Sequence, residues 1–344
     1  MINKKYKYSG VVHIHTKFSD GTGTVETIAN AAKRAGLKWI IITDHNSMEA
    51  KEGFYSGVCV IKGEEITPKN ANHYLALDIK TAIMPSESPN DNIQQVINQG
   101  GFGYCAHPDE SSKRKNKYKE LVWTDKSVYY SGIEIWNWFS SWADGFNDKN
   151  FFTQLYGYLF KNKIVQEPKS ETLDWWDEVN NREQKIINGI FGTDAHALKY
   201  KKYILPVLVF PYAFMFNTLA NIVLLEEELS SDFEIAKSQI LSALRHGKNY
   251  MINRQRFDRH DFEFYIKNDN GIAFCGESIE KNENTTLYLN LPFKSDINLF
   301  KDGKLIEKTS SDYLQYKIMS VGKYRIEVRN KGKVCMFSNP ILVF

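Results

Sequence analysis

The chain has 344 residues, enough for one large α/β domain with a substantial core and a smaller second domain. Hydrophobic residues make up 42% and charged residues 25%, which excludes a disordered or fibrous chain. With 44 basic against 41 acidic residues the net charge is +3, too balanced to make a polyanionic polymer the expected partner, so nucleic acid is not expected.

The opening run MINKKYKYSG leads into a strand without an apolar signal segment. A leader removed beforehand would leave the same start. Cys59, Cys105, Cys275 and Cys335 are widely spaced and form no CxxC pair, so reduced, buried thiols and a cytoplasmic location are expected. Val11 to His15 reads as a buried strand. Thr24 is placed to cap a helix over Val25 to Ala35, which Gly36 stops. Strands follow over Lys38 to Thr43, Val58 to Lys62 and His73 to Asp78. A helix over Ile93 to Gln99 ends at Gly100-Gly101, and strands return over Phe102 to Ala106 and Gly132 to Trp136. This alternation predicts a parallel sheet or barrel.

The basic run Lys113, Arg114, Lys115, Lys117, Lys119 reads as a solvated loop. Asn137 to Gly189 is less regular and carries Trp138, Trp142, Trp175 and Trp176, expected as local core or as a cover over the barrel mouth. Ile190 to Thr193 is a further short strand. Ile204 to Leu225 is apolar enough to suggest a membrane span, but Pro206, Pro211, Asn217, Thr218 and Asn221 interrupt it. The expectation is a strand, YILPVLVF, then a buried helix, FMFNTLANIVLLEEEL, and no membrane partner. Ser231 to His246 is amphipathic and helical. After about Arg259 the chain turns to short alternating segments such as FEFYIKN, TLYLNL and GKYRIEVRN, with turns at Asn270-Gly271, Asp302-Gly303 and Lys331-Gly332. These predict an antiparallel sandwich of immunoglobulin-like size.

Placement of the eight histidines carries the chemistry. His13 and His15 lie two apart on a strand, so their side chains share a face. Asp194 and His196 repeat that spacing in GTDAHA. Asp44-His45 closes the second strand, Glu65 follows the third, His73 and His107 lie in or at the ends of strands, and Asp20 follows the first. Active sites of α/β barrels gather at the C-terminal ends of strands, where most of these residues fall. Imidazole and carboxylate without thiolate suit zinc, manganese or iron.

The run HIHTKFSDGTGTVETIANAAKRAGLKWIIITDHN resembles the first two motifs of the PHP (polymerase and histidinol phosphatase) family. GEEIT with His73, YCAHPDE, GIEIWN and GTDAHA resemble its later motifs in the same order, over roughly residues 8 to 250. The resemblance implies a distorted (β/α)7 barrel with a trinuclear metal centre and phosphoesterase activity. The ending SNPILVF and the β-rich tail resemble members with a C-terminal sandwich, so a barrel over 1–257 and a sandwich over 258–344 are expected. Carried over by motif, His13, His15, Glu65 and Asp194 would hold one metal. Glu65 would bridge to a second with His73 and His107, and Asp20, His45 and His196 would hold a third. Glu64 should face the opposite way from Glu65. Thr22-Gly23 lengthens the family's short SDGT turn, which puts the position of Asp20 in question. Glu134 sits where a strand-end carboxylate recurs and is expected to orient a histidine rather than ligate.

The expected activity is hydrolysis of a small phosphorylated substrate by a metal-activated hydroxide, with two or three divalent ions (Zn, Mn or Fe) as cofactors. His107 or His196 would protonate the leaving oxygen if free of metal. Arg254, Arg256, Lys69 and Lys113 are candidate cations for the phosphate. The same centre could instead cleave a carboxylic ester, amide or carbamate, or the barrel could be a non-catalytic metal-containing binding protein. The sequence gives no oligomeric state.

Overall fold

The computed structural model of the protein describes residues 5–110, 122–126, 131–146, 151–200 and 207–344. Lys113 and the rest of the basic run lie outside them, as does the start of the expected strand YILPVLVF. The chain divides into two compact units. Gly10–Leu173 and Ile190–Leu219 make one; Met1–Ser9, Asp174–Gly189 and Ala220–Phe344 make the other.

β1 (Tyr6–Ile14), which belongs to the first unit from Gly10 on, runs parallel to β2 (Trp39–Ile42) through Gly10 and Val11, and to β9 (Asn188–Ala195), in that unit from Ile190 on, through Val12 and Ile14. Gly10 sets the close approach: a Cβ there would sit 2.0 Å from the Trp39 ring. Helix α1 (Val25–Arg34) makes the crossover. The Thr24 side chain caps it by accepting from the Thr27 amide, and Val25, Ile28, Ala29, Ala31 and Ala32 form its buried face. A hairpin of β3 (Gly53–Tyr55) and β4 (Val58–Lys62) adds β4 parallel to β2, giving the order β4–β2–β1–β9. Buried strands in this order read as unbroken apolar runs such as Trp39–Ile42, as parallel strands covered on both faces do.

The next strands depart from uniform parallel pairing. β5 (Glu64–Ile66) and β6 (Tyr74–Leu77) are antiparallel, as are β6 and β7 (Phe102–Cys105). The loop from β5 to β6 is too short for the crossover of a dozen or more residues that a parallel pair needs. Helix α2 (Pro89–Asn98), capped by Ser88, lies between β6 and β7, and β7 then pairs in parallel with β8 (Gly132–Asn137).

The region expected to be irregular is largely helical: α3 (Trp138–Gly145), α4 (Phe151–Leu159), α5 (Lys161–Ile164) and α6 (Ser170–Arg182). Trp138 and Trp142, one turn apart on α3, are buried against the Phe210 ring at 5.1 and 4.6 Å between centroids, so these aromatics are core. The antiparallel pair β10 (Leu198–Tyr200) and β11 (Val207–Val209) and the short α7 (Tyr212–Met215) complete this unit.

The second unit contains β12 (Leu219–Leu225), α8 (Phe233–Arg245) and β13 (Asn249–Asn253) together with the C-terminal strands. The helix expected over FMFNTLANIVLLEEEL is not there: α7 ends at Met215 and LANIVLL is a strand buried along its whole length. A short run apolar at every position fits a buried strand as well as a helix, and β-branched Ile222 and Val223 favour the strand. The C-terminal strands are β14 (Glu263–Asn268), β15 (Gly271–Ala273), β16 (Ser278–Ile279), β17 (Thr286–Lys301), β18 (Lys304–Lys317), β19 (Gly322–Asn330), β20 (Lys333–Ser338) and β21 (Ile341–Val343). They pair antiparallel except β16 with β21. β13 joins the same ladder, opposite β20 from Tyr250↔Ser338 to Ile252↔Met336. The boundary expected at 257/258 therefore falls inside this unit, because β13 shares backbone hydrogen bonds with β20. Among the described residues no helix is long and apolar enough to cross a membrane.

Candidate metal centre

All nine side chains expected as ligands lie in the first unit, and they meet at strand ends. His13 and His15 close β1, His45 follows β2, Glu65 lies in β5, His73 precedes β6, His107 follows β7, and Asp194 and His196 close β9. The backbone is strained to bring them there. His13, His107 and Asp194 have φ of 66°, 27° and 55°, a region that side chains with a Cβ seldom occupy. The β1–β9 register shifts between Val12 and Ile14, beside His13. The shared face of His13 and His15 thus comes from a local irregularity as well as from strand alternation, and their ring centroids are 5.3 Å apart.

Glu65 is the hub. Its Oε1 lies 2.8 Å from His73 Nδ1 and 3.0 Å from His107 Nε2. Its Oε2 lies 3.2 Å from His13 Nε2, 3.3 Å from His15 Nε2 and 3.1 Å from His45 Nδ1. Asp194 Oδ1 lies 3.5 Å from His13 Nε2, 3.2 Å from His15 Nε2 and 3.4 Å from His196 Nδ1. Asp20 Oδ1 is 3.1 Å from His196 Nε2 and 3.7 Å from His45 Nε2, so the longer turn has not carried it away from its partners.

Donor atoms close enough to share an ion fall into four overlapping groups: Glu65, His73 and His107; His15, Asp20, His45 and His196; His13, His15 and Glu65; His13, His107 and Asp194. The first is the expected second site. In the second, His15 joins the expected third site, a grouping that the motifs did not give.

Neighbouring groups set the imidazole tautomers. Glu134 Oε1 accepts from His13 Nδ1 at 2.8 Å, while Glu134 Oε2 accepts from the His107 amide at 2.6 Å and from Asn137 Nδ2 at 3.0 Å. Both oxygens are thus used in orienting the site. Thr67 Oγ1 donates to the Glu65 carbonyl and so accepts from His45 Nδ1 at 2.7 Å. His196 Nδ1 donates to the Asp194 carbonyl at 2.9 Å. In His13, His45 and His196 the Nε2 lone pair is left for a cation.

Several supporting contacts carried no sequence signal. Asp44 accepts from the Thr16 amide, the Thr16 hydroxyl and the Ser19 hydroxyl at 2.6 to 2.7 Å, fixing the turn that presents Asp20. Tyr212 donates its hydroxyl to the His15 carbonyl at 2.7 Å and accepts from the Gly23 amide at 3.1 Å. Glu110 lies 3.5 Å from His107 Nδ1 and accepts from Ser140 Oγ at 2.6 Å. The DE of YCAHPDE was the available hint for Glu110. Glu64 faces away, as expected, and accepts from the Ile83 amide at 2.8 Å.

The cluster is strongly coupled. Burial alone would lower the pKa of His13 and His15. The carboxylates of Glu134, Asp194 and Glu65 instead hold His13 well above its usual value, and Asp194 and Glu65 hold His15 at about 9. His107 is held at about 10 against burial by Glu65 and Glu110. Burial would raise Glu65 and Asp194, but the imidazoles around each hold both well below the carboxylate range. Burial pushes His45 down to about 4.

His15 Nε2, His107 Nδ1 and Asp194 Oδ1 are buried without a hydrogen-bond partner. Each such atom would be destabilising by roughly 1–3 kcal/mol if nothing met it. A buried set of imidazole nitrogens and carboxylate oxygens, its lone pairs converging on shared points, fits divalent cations.

The PHP domain profile matches residues 12–196, more than half of the chain and all nine of these side chains. The chain belongs to the PHP domain family. A relative by sequence is an uncharacterized protein of Methanocaldococcus jannaschii, 31% identical over 108 residues, which are 30% of this chain and 63% of that protein's length. Among solved structures, a two-domain Bacteroides vulgatus protein, described as containing a predicted PHP-like metal-dependent phosphoesterase, is 15% identical over 98% of this chain and 95% of its own, with a TM-score of 0.49. An amidohydrolase from Chromobacterium violaceum is 12% identical over 54% and 87%, with a TM-score of 0.33.

Of the cations expected for a phosphate, Lys113 lies outside the described residues. Arg254 and Arg256 belong to the other unit, where Arg254 pairs with Asp258 at 2.9 Å and Arg256 donates to the Val334 carbonyl at 3.2 Å. Lys69 is exposed, its amide donating to Glu87.

Proposed function

We propose that the protein is a metal-dependent hydrolase of phosphoric esters of small molecules. The observation that carries this reading is the Glu65 carboxylate, whose two oxygens face separate sets of imidazoles, as a carboxylate bridging two cations would. Two or three zinc, manganese or iron ions held by His13, His15, Asp20, His45, Glu65, His73, His107, Asp194 and His196 would supply Lewis acidity and acidify water.

The chain's own residues do the positioning. Glu134, Thr67 and the Asp194 carbonyl hold protons on Nδ1 of His13, His45 and His196 and so leave Nε2 of each for a cation. His13 and His15 are fully buried, whereas the side chains of His45 and Asp20 are 27% and 55% exposed. A substrate would therefore reach the cluster from the Asp20–His45 edge. The Phe139 ring lies 5.7 Å from that of His196 and would keep water from that flank. His107 and His196 both direct Nε2 at carboxylates of the cluster, so either would protonate a leaving oxygen only while that nitrogen is free of metal.

A panel of p-nitrophenyl phosphate, bis-p-nitrophenyl phosphate and p-nitrophenyl acetate tests the reading, with and without a chelator. Turnover of a phosphate ester that the chelator abolishes and added metal restores is expected. Turnover confined to the acetate would overturn it.

A further inference from the structure

Helix α4 presents an apolar face to solvent. Phe152, Leu155, Tyr156, Leu159 and Phe160 are all exposed, Phe152 by 79% and Leu159 by 66%. Their spacing places them on one stripe along the helix and the residue after it. Surface helices ordinarily turn such a stripe inward, and α4 has a different face inward already. Tyr158 packs on the rings of Trp142 and Phe146 at 5.8 and 5.4 Å, and a Cβ at Gly157 would lie 2.5 Å from the Phe146 ring. The helix is pressed onto α3, and the exposed stripe is the face left over.

The charge along the helix and directly after it is of one sign. Residues 151–165 contain no Asp or Glu, and Lys161 and Lys163 follow the stripe directly. Lys163 Nζ lies 5.0 Å from the Phe160 ring centroid and Lys161 Nζ lies 4.0 Å from that of Phe214. Among the described residues neither ammonium has a carboxylate partner. Aromatic and leucine side chains beside unneutralised lysines are the composition of a helix lying in the headgroup region of an anionic bilayer.

We propose that α4 docks the protein on an anionic lipid surface. Nine residues of helix reach about 14 Å, which suits a helix lying flat and not a span. Pro206, Pro211, Asn217, Thr218 and Asn221 argue against a span over Ile204 to Leu225 and no membrane partner is expected there; a docked face needs no span. The lysines select anionic over zwitterionic lipid, and side chains as exposed as Phe152 and Leu159 suit a bilayer better than a peptide, for which a groove would be needed.

Co-sedimentation of the full chain with vesicles of phosphatidylcholine alone, or with about 30% phosphatidylglycerol, tests the proposal. Binding to the anionic vesicles should fall roughly tenfold or more in Leu155→Ser/Leu159→Ser, and should fall with added salt and in Lys163→Glu. Lys163→Glu changes an exposed side chain, so it keeps the test open if the double variant folds poorly. The proposal is overturned by absent binding, by equal binding to both vesicle types, or by a folded double variant that binds as wild type does. It is also overturned if the stripe instead drives a concentration-dependent dimer that the double variant abolishes.

Discussion

His13 Nδ1 and Glu134 Oε1 are 2.8 Å apart, joining residues 121 positions apart in the chain. The carboxylate accepts there and, through Oε2, from the His107 amide, so one side chain sets the tautomer of one imidazole and the backbone of another. Glu134→Ala should lower metal affinity by roughly 10–100-fold. Glu134→Gln should not rescue it. If its oxygen keeps the His107 amide, its NH2 faces His13 Nδ1, which must then accept, and the proton moves to Nε2. Competition titrations with a chromogenic chelator check this; a Gln variant with wild-type affinity contradicts it.

Gly192 makes room for that carboxylate. A Cβ at this position would lie 1.6 Å from Glu134 Oε1 and 3.2 Å from the His13 Cβ. Gly192→Ala should destabilise the protein by about 3 kcal/mol or more and weaken metal binding together with it. Denaturant unfolding and metal titration of the variant measure both.

Metal binding should release protons. His15 and His107 hold protons up to about 9 and 10, and a ligating imidazole must be neutral. Affinity should therefore rise about tenfold per pH unit for each proton displaced between pH 6.5 and those values. Calorimetric titrations at pH 7 in buffers of different ionisation heat should give different enthalpies. The same shifts govern the apo protein. The attraction between imidazolium and carboxylate stabilises it fully below pH 6.5, and that stability is lost as pH rises through 9 to 10.

Glu64 behaves in the opposite sense. Burial raises its carboxyl to about 7 against the stabilising Ile83 amide, and Oε1 has no hydrogen-bond partner. Above the unfolded value of 4.5 the folded protein progressively pays for a buried charge, and the full penalty is present above 7. Glu64→Gln should raise the Tm by roughly 2–5 °C at pH 8 and leave it nearly unchanged at pH 4.5. Thermal melts at the two values decide it.

The cluster could be anticipated because its residues come as short-range pairs, His13 with His15 and Asp194 with His196, on strands whose apolar runs were plain. The packing of Glu134 against Gly192 could not, since it depends on two distant strands meeting at one oxygen. Asp44 stood beside His45 in the motif, yet its bonds to Thr16 and Ser19 cross from one strand end to another. Periodicity failed at LANIVLL, where every position is apolar and buried. It also did not foresee β13 joining β20, because register between segments so far apart leaves no local mark.

On the proposed function these nine side chains form one metal-dependent hydrolytic centre. Metal content by elemental analysis, together with p-nitrophenyl phosphate turnover, should be measured for wild type and for His13→Ala/Asp194→Ala. Wild type should carry two or three divalent ions per chain and turn over the ester, and the folded double variant should lose metal and nearly all activity. Undiminished turnover in that variant, or a wild type that takes up no divalent metal at any concentration, would show that the cluster is not a metal-dependent hydrolytic centre.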